Sequence, residues 1–319
     1  MKTVIVFVPG LYGSELKAPS WLKFAKKVNS STSETGISCT SFTWDFRRSL
    51  EEASAGFEAF VKTLGDSKIV LVTHSTGAML VVPTINRNPS LFKAWYSVGG
   101  AIGPGPNAFD DALNQSNTPG WRIQSPVNVC LLNQATRQTF TTLYGFHSAT
   151  DTAMQDAVTG KPIEGDLYDV AVWEKLLLGP WAGGADVSQE MRDHVENALA
   201  SCRGFRKHLD GGEEILAHPA SEYAHLKIVA YGSDSFKTVS VLNWREDKGV
   251  TTGDVAVWKD GDGTIQGKNW RRAFGGMEPG EVVLSETTHA ELPNDERLHE
   301  LVLAAAGGEA GGEQDKTRV

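Results

Sequence analysis

The chain has 319 residues, enough for one elaborated domain or two ordinary ones with a large core. Its formal net charge of −9 argues against nucleic acid as a partner, since that needs a basic footprint, but not against a neutral ester or lipid. The three cysteines, Cys39, Cys130 and Cys202, are widely spaced and form no CxxC or Cys/His metal pattern, so they read as thiols of an intracellular, cytoplasmic protein.

The first element is the apolar run of residues 3–8. It is too short for a secretion signal and is ended by Pro9-Gly10 with no cleavage site, so a strand buried on both faces fits it better. A glycine-punctuated loop, Pro9 to Leu16, follows. Trp21-Leu22-Lys23-Phe24-Ala25-Lys26-Lys27 mixes aromatic, apolar and basic residues: packed helix is the plain expectation, peripheral membrane contact the alternative. Ser41 to Phe46 alternates like a strand. Ser49-Leu50-Glu51-Glu52 is a capping box that opens a helix with Leu50, Ala53, Phe57, Phe60, Val61 and Leu64 on one face, stopped at Gly65.

Residues 68–73 form a β-branched strand that runs into Thr73-His74-Ser75-Thr76-Gly77. A serine two positions from small residues, between a strand and an apolar helix, is the pattern of a nucleophile elbow. The Thr76 amide then starts a helix, where an unpaired N–H can hold an oxyanion. Thr73 stands where a glycine is usual. Pro83 predicts a kink or early end of the next helix. Residues 95–101 are another strand, and the strand–helix rhythm predicts a mostly parallel α/β sheet.

That rhythm stops at 104–224, which holds Pro, Gly, Asn and Ser clusters and short helices such as 170–178 and 189–199; this is expected to be one cap or lid insertion. Its Trp121, Trp173 and Trp181 either line a substrate channel or form the core of the cap. Gly179 to Gly184 is either a lid hinge or a plain loop. Strands resume at 226–232, 254–258 and 281–285, and a helix over 295–305 closes the fold. The expected division is 1–103 and 225–306 as the two parts of one core, 104–224 as the cap, and 307–319 as a disordered tail.

A serine nucleophile needs a base, and the base needs an acid to orient it. Two aspartates follow late strands: Asp234 in Gly232-Ser233-Asp234, and Asp262 in Asp260-Gly261-Asp262-Gly263-Thr264-Ile265. Either is otherwise a turn aspartate that caps its own loop. A calcium loop fails at Asp260, because the twelfth position is Arg271 and not Glu. Only His289 and His299 follow both acids. His289 lies in a polar loop after the last strand, where a base belongs, whereas His299 falls inside the closing helix as a surface or boundary residue. His74, beside the serine, supports the elbow or touches substrate, as Tyr12 also would. The second oxyanion N–H is expected at Leu11, paired with that of Thr76. No metal or cofactor is called for.

With these residues in place, the chain resembles the lecithin:cholesterol acyltransferase-like family of α/β hydrolases, which includes lysosomal phospholipase A2 and phospholipid:diacylglycerol acyltransferases. The likeness is carried by Val8-Pro9-Gly10-Leu11-Tyr12-Gly13-Ser14, Phe42-Thr43-Trp44-Asp45-Phe46-Arg47, His74-Ser75-Thr76-Gly77, and Tyr231-Gly232 through Asp260-Gly261-Asp262-Gly263-Thr264-Ile265. It spans most of 3–103 and 226–305 and leaves the insertion uncovered. The resemblance implies an α/β-hydrolase fold, Asp262 in preference to Asp234 as the acid, and acyl transfer from a lipid ester to Ser75. The lid disulfide and the secretion signal of the secreted animal members have no counterpart here, which points to an intracellular relative. A non-lipid ester or lactone is the alternative substrate, and a catalytically silent binding protein is a third reading that the intact Ser75, Asp262 and His289 speak against.

Overall fold

The computed structural model describes residues 2–10, 19–45, 48–103, 154–247 and 249–307. Strand β1 (Thr3–Val8) is followed by helices α1 (Pro19–Ser30) and α2 (Thr32–Thr35), then β2 (Ile37–Ser41), α3 (Leu50–Thr63), β3 (Lys68–His74), α4 (Gly77–Arg87) and β4 (Phe92–Val98). After the undescribed stretch come β5 (Met154–Asp156), α5 (Val170–Lys175), α6 (Gln189–Asp210), β6 (Lys227–Gly232), β7 (Phe236–Arg245), β8 (Gly249–Gly261), α7 (Gly267–Trp270), β9 (Glu281–Leu284) and α8 (Glu296–Ala306).

Six strands form the main sheet in the order β2-β1-β3-β4-β6-β9, and every neighbouring pair is parallel. Alternate residues of these strands feed two cores, as the two-residue period of a strand requires. Val4, Val6, Val8, Leu71 and Trp95 pack with α3, α4 and α6 on one face. Ile5, Phe7, Val70, Val72 and Tyr96 pack with α1 and α8 on the other. Helices on both faces explain why β1 and β3 read as unbroken apolar runs. Parallel pairing puts the carboxyl ends of β3, β4, β6 and β9 along one edge of the sheet, where α/β proteins build their sites. A mostly parallel sheet flanked by helices, with a serine elbow after β3, is the α/β-hydrolase architecture.

Several expectations need correction. The strand expected over 41–46 lies earlier, at Ile37–Ser41, because β2 aligns on β1 from Thr3↔Ile37 to Phe7↔Ser41. Phe42 instead packs on Phe57 and Phe60 of α3. The strand expected over 95–101 begins at Phe92. The one expected over 254–258 is no part of the main sheet: it belongs to β8, paired antiparallel with β7, a strand the sequence reading missed, and β5 adds to this hairpin. Pro83 does not end α4, which runs on to Arg87 with every residue from Gly77 to Asn86 buried. That burial offsets the hydrogen bond the proline cannot donate, a cost of about 3 kcal/mol. His299 is buried rather than at the surface, packed against Trp21 and Phe24.

The capping expectation is half met. Ser49 Oγ accepts from Glu52 N at 3.2 Å, but the Glu52 carboxylate turns to Arg48. No helix among the described residues is long and apolar enough to cross a membrane. The tail after Gly307 lies outside the described residues, as does Cys130.

Candidate active site

The site is built upward from the turn after β3. Ser75 has φ of 54°, a left-handed conformation that costs a non-glycine residue energy and persists only where the surroundings fix it. Three backbone bonds do so: Ser75 N–H donates to Val98 O at 3.0 Å, and Ser75 O accepts from Ala78 N at 3.0 Å and Ala101 N at 3.1 Å. A Cβ on Gly77 would sit 2.6 Å from Val8 O and 2.7 Å from Pro9 O, so the position two after the serine must be glycine. The position two before it tolerates Thr73. That side chain is fully buried, and its hydroxyl accepts from the Trp95 indole N–H at 2.9 Å.

Thr76 stands at the start of α4 without a side-chain capping bond, and its N–H donates to no group among the described residues. The loop after β1 presses on the serine, since a Cβ on Gly10 would lie 2.5 Å from Ser75 Cβ and 3.2 Å from its Oγ. Leu11 and Tyr12, the next residues of that loop, lie outside the described residues, and so does Trp121.

Asp262 follows β8 and is fully buried. Its two carboxylate oxygens do different work. Oδ1 accepts from the N–H groups of Thr264 at 2.9 Å and Ile265 at 2.6 Å, closing a turn. Oδ2 lies 2.7 Å from Nδ1 of His289. The loop-capping aspartate and the partner of a histidine are therefore the same residue. The His289 N–H also donates to Asp262 O at 2.9 Å. A carboxylate only accepts, so Nδ1 is the ring nitrogen that donates here and Nε2 is the one left over. Nε2 is buried and has no hydrogen-bond partner among the described residues.

Two further contacts tie this pair to the elbow. His74 Nε2 lies 2.9 Å from His289 O, with the rings 4.6 Å apart. Gly99, at the end of β4 with φ of 51°, packs so closely that a Cβ would be 2.8 Å from His289 Nδ1 and 2.9 Å from Asp262 Oδ2. Gly99 went unnoticed in the sequence, where only the Gly99-Gly100 pair after a strand marks it.

The competing aspartate, Asp234, is committed elsewhere. It follows β6 directly and makes a two-pronged ion pair with Arg271, whose guanidinium also stacks 4.4 Å over Trp270. Trp173 and Trp181 are both buried in the core, the former donating its indole N–H to Leu167 O at 2.8 Å. The loop that carries His289 is held at its foot as well: Ser285 Oγ and Tyr231 Oη both donate to Asp295 Oδ2, at 2.7 and 2.5 Å. Burial raises the Tyr231 phenol, so it remains a donor. On Asp295 burial pushes upward, but these bonds together outweigh it and hold the carboxyl below its ordinary value.

No protein-family model matches the sequence, and no curated protein does. Among solved structures, the mature lipase BlEst2 of Bacillus licheniformis is similar at 13% identity and a TM-score of 0.48, with 96% of this chain and 92% of that one covered. Tomato methylketone synthase I in complex with 2-tridecanone gives 14% identity and a TM-score of 0.45, covering 96% and 98%. The thioesterase domain from the curacin biosynthetic pathway gives 14% and 0.39, covering 95% and 91%. At these values the likenesses carry no argument about what this chain binds or does.

Proposed function

We propose that the chain is a serine hydrolase of carboxylic esters, with Ser75 as nucleophile, His289 as general base and Asp262 as the group that orients it. What carries this reading is one observation: His289 is locked on Asp262 through Nδ1, leaving a buried Nε2 with no partner among the described residues, and it contacts His74, the last residue of the strand before a strained serine. Nε2 takes the proton from Ser75 Oγ as that oxygen attacks the ester carbonyl carbon. The carbonyl oxygen becomes an oxyanion that accepts from the Thr76 N–H and, from the loop after Gly10, the Leu11 N–H. The intermediate collapses, the C–O bond to the leaving alcohol breaks, and His289 returns the proton to that alcohol. Water or a second alcohol then attacks the acyl carbon while giving a proton to His289, and His289 returns that proton to Ser75 Oγ as the acyl–Oγ bond breaks.

The finer reading is a phospholipid or acylglycerol ester, with residues 104–224 as the cap over the catalytic edge. It is supported by the likeness of the Asp260 to Ile265 segment and the Pro9-Gly10 loop to the lecithin:cholesterol acyltransferase-like family. One observation favours a smaller soluble ester instead. Trp21, in the segment for which membrane contact is the alternative, is fully buried against Phe7 and Phe24. The deciding experiment compares phosphatidylcholine vesicles with short- and long-chain aryl esters, with an added alcohol acceptor and a fluorophosphonate label. Labelling at Ser75, lost in Ser75→Ala together with several orders of magnitude of turnover, is the expected result. A protein labelled elsewhere, or a Ser75→Ala variant that turns over normally, would refute the assignment. Vesicle cleavage with transfer to the alcohol selects the lipid acyltransferase; activity confined to soluble esters selects the smaller substrate.

A further inference from the structure

We infer that His74 is a positioning residue for the base, joining the nucleophile's strand to the loop that carries His289; this rests on the reading of Ser75 and His289 above. The backbone carbonyl of His289 can only accept, so the 2.9 Å contact fixes the proton of His74 on Nε2. His289 is thereby held by three polar handles: its N–H on Asp262 O, its Nδ1–H on Asp262 Oδ2, and its C=O on His74. The first two tie the base to the acid. The third ties it to β3, one residue before Ser75.

The tie matters because acid and nucleophile come from distant parts of the fold. Asp262 follows the β7–β8 hairpin, outside the main sheet, while Ser75 is fixed to the end of β4 through Val98 and to the turn after it through Ala101. A base fastened to Asp262 alone would follow the hairpin. His74 makes it follow the elbow. The ring of His74 also lies along that of His289, 4.6 Å between centroids and tilted by 36°, and so limits the tilt of the base. An N–H donor of this reach is required at the position, and ring volume alone does not replace it.

The test compares His74→Gln, which keeps a side-chain N–H at similar reach, with His74→Leu, which keeps volume and loses the donor. Two readouts are taken on the full chain. Steady-state hydrolysis of a soluble aryl ester is expected to show kcat about 10- to 100-fold lower in His74→Leu with KM nearly unchanged, and at most about 3-fold lower in His74→Gln. Proton NMR of the His289 Nδ1–H, held on Asp262, is expected to give a sharp low-field signal in wild type and His74→Gln and a broadened one in His74→Leu. Equal kcat in the two variants, or an equally sharp signal in both, overturns the inference. If wild type neither labels at Ser75 nor turns over ester, the hydrolase reading fails by itself, while the NMR comparison still decides whether His74 holds the loop.

Discussion

At the scale of the residue, small side chains set the site as firmly as the polar ones. Gly99→Ala would place a methyl group 2.8 Å from His289 Nδ1 and 2.9 Å from Asp262 Oδ2, at a φ of 51° that alanine resists. The pair must shift, and displacement of a base by even a fraction of an ångström is costly. We expect kcat to fall about 100-fold with the melting temperature only modestly lowered, read by ester hydrolysis alongside thermal unfolding. Wild-type turnover in Gly99→Ala would show that the pair is not held where the geometry has it. The two aspartates make a sharper contrast. Asp262→Asn keeps the shape but presents an amide to Nδ1 and favours the wrong tautomer, so a loss of about 10⁴-fold in kcat is expected. Asp234→Asn weakens only the partly exposed ion pair with Arg271 and should stay within a few-fold of wild type. The reverse ranking would move the acid to Asp234.

At the scale of the element, α8 illustrates how one helix end serves two purposes. Asp295 caps it by accepting from Arg297 N–H at 3.0 Å, and the same carboxylate gathers Ser285 and Tyr231 beneath the loop that carries His289. One turn on, His299 is sandwiched with Phe24 and Trp21, its Nε2 2.9 Å from Pro293 O. Burial, the largest influence, lowers its pKa, against smaller opposing effects of that carbonyl, Asp295 and Glu296. The sign follows directly. The unfolded chain takes up a proton near pH 6.5 that the folded helix resists, so stability is complete above that pH and is lost as pH falls toward the depressed folded value. Replacing the imidazole in His299→Phe keeps a ring in the stack and removes the titration. The drop in urea midpoint between about pH 7 and pH 5 should therefore be smaller in the variant than in wild type; an identical drop would show that His299 does not contribute to it.

At the scale of the whole molecule, the two-faced sheet separates stability from chemistry. Trp21 fills the core on the α1 and α8 side, and His289 meets His74 at the end of β3. Trp21→Ala opens a cavity there and is expected to cost about 3–5 kcal/mol in chemical denaturation, with kcat of the folded protein little changed. Because the Trp21 indole N–H is buried without a partner among the described residues, Trp21→Phe should cost much less. Equal stability in Trp21→Ala and wild type would return this segment to the surface and reopen membrane contact.

Much of the site was legible in the sequence because its chemistry is local. A strained serine turn demands a strand before it and small neighbours around it, and Asp262 sits in a glycine-flanked turn whose own N–H groups hold one of its oxygens. The parallel rhythm of β1 to β4 likewise follows from short-range pattern, whereas the preference for Asp262 over Asp234 comes from the family resemblance and not from local pattern. Other features depend on neighbours far along the chain. Pro83 reads as a helix breaker until burial on all sides outweighs its lost bond. His299 reads as a surface residue until α1 covers it. β7 escaped notice because its pairing with β8 lies in a hairpin outside the main sheet. Strand period and turn chemistry thus determined by themselves which residues belong at the strand ends. Only tertiary packing decided that Asp234 spends its charge on Arg271, that Asp262 reaches His289, and that Gly99 and His74 stand against the pair, because a hydrogen bond across the fold depends on where whole strands lie and no local pattern encodes that.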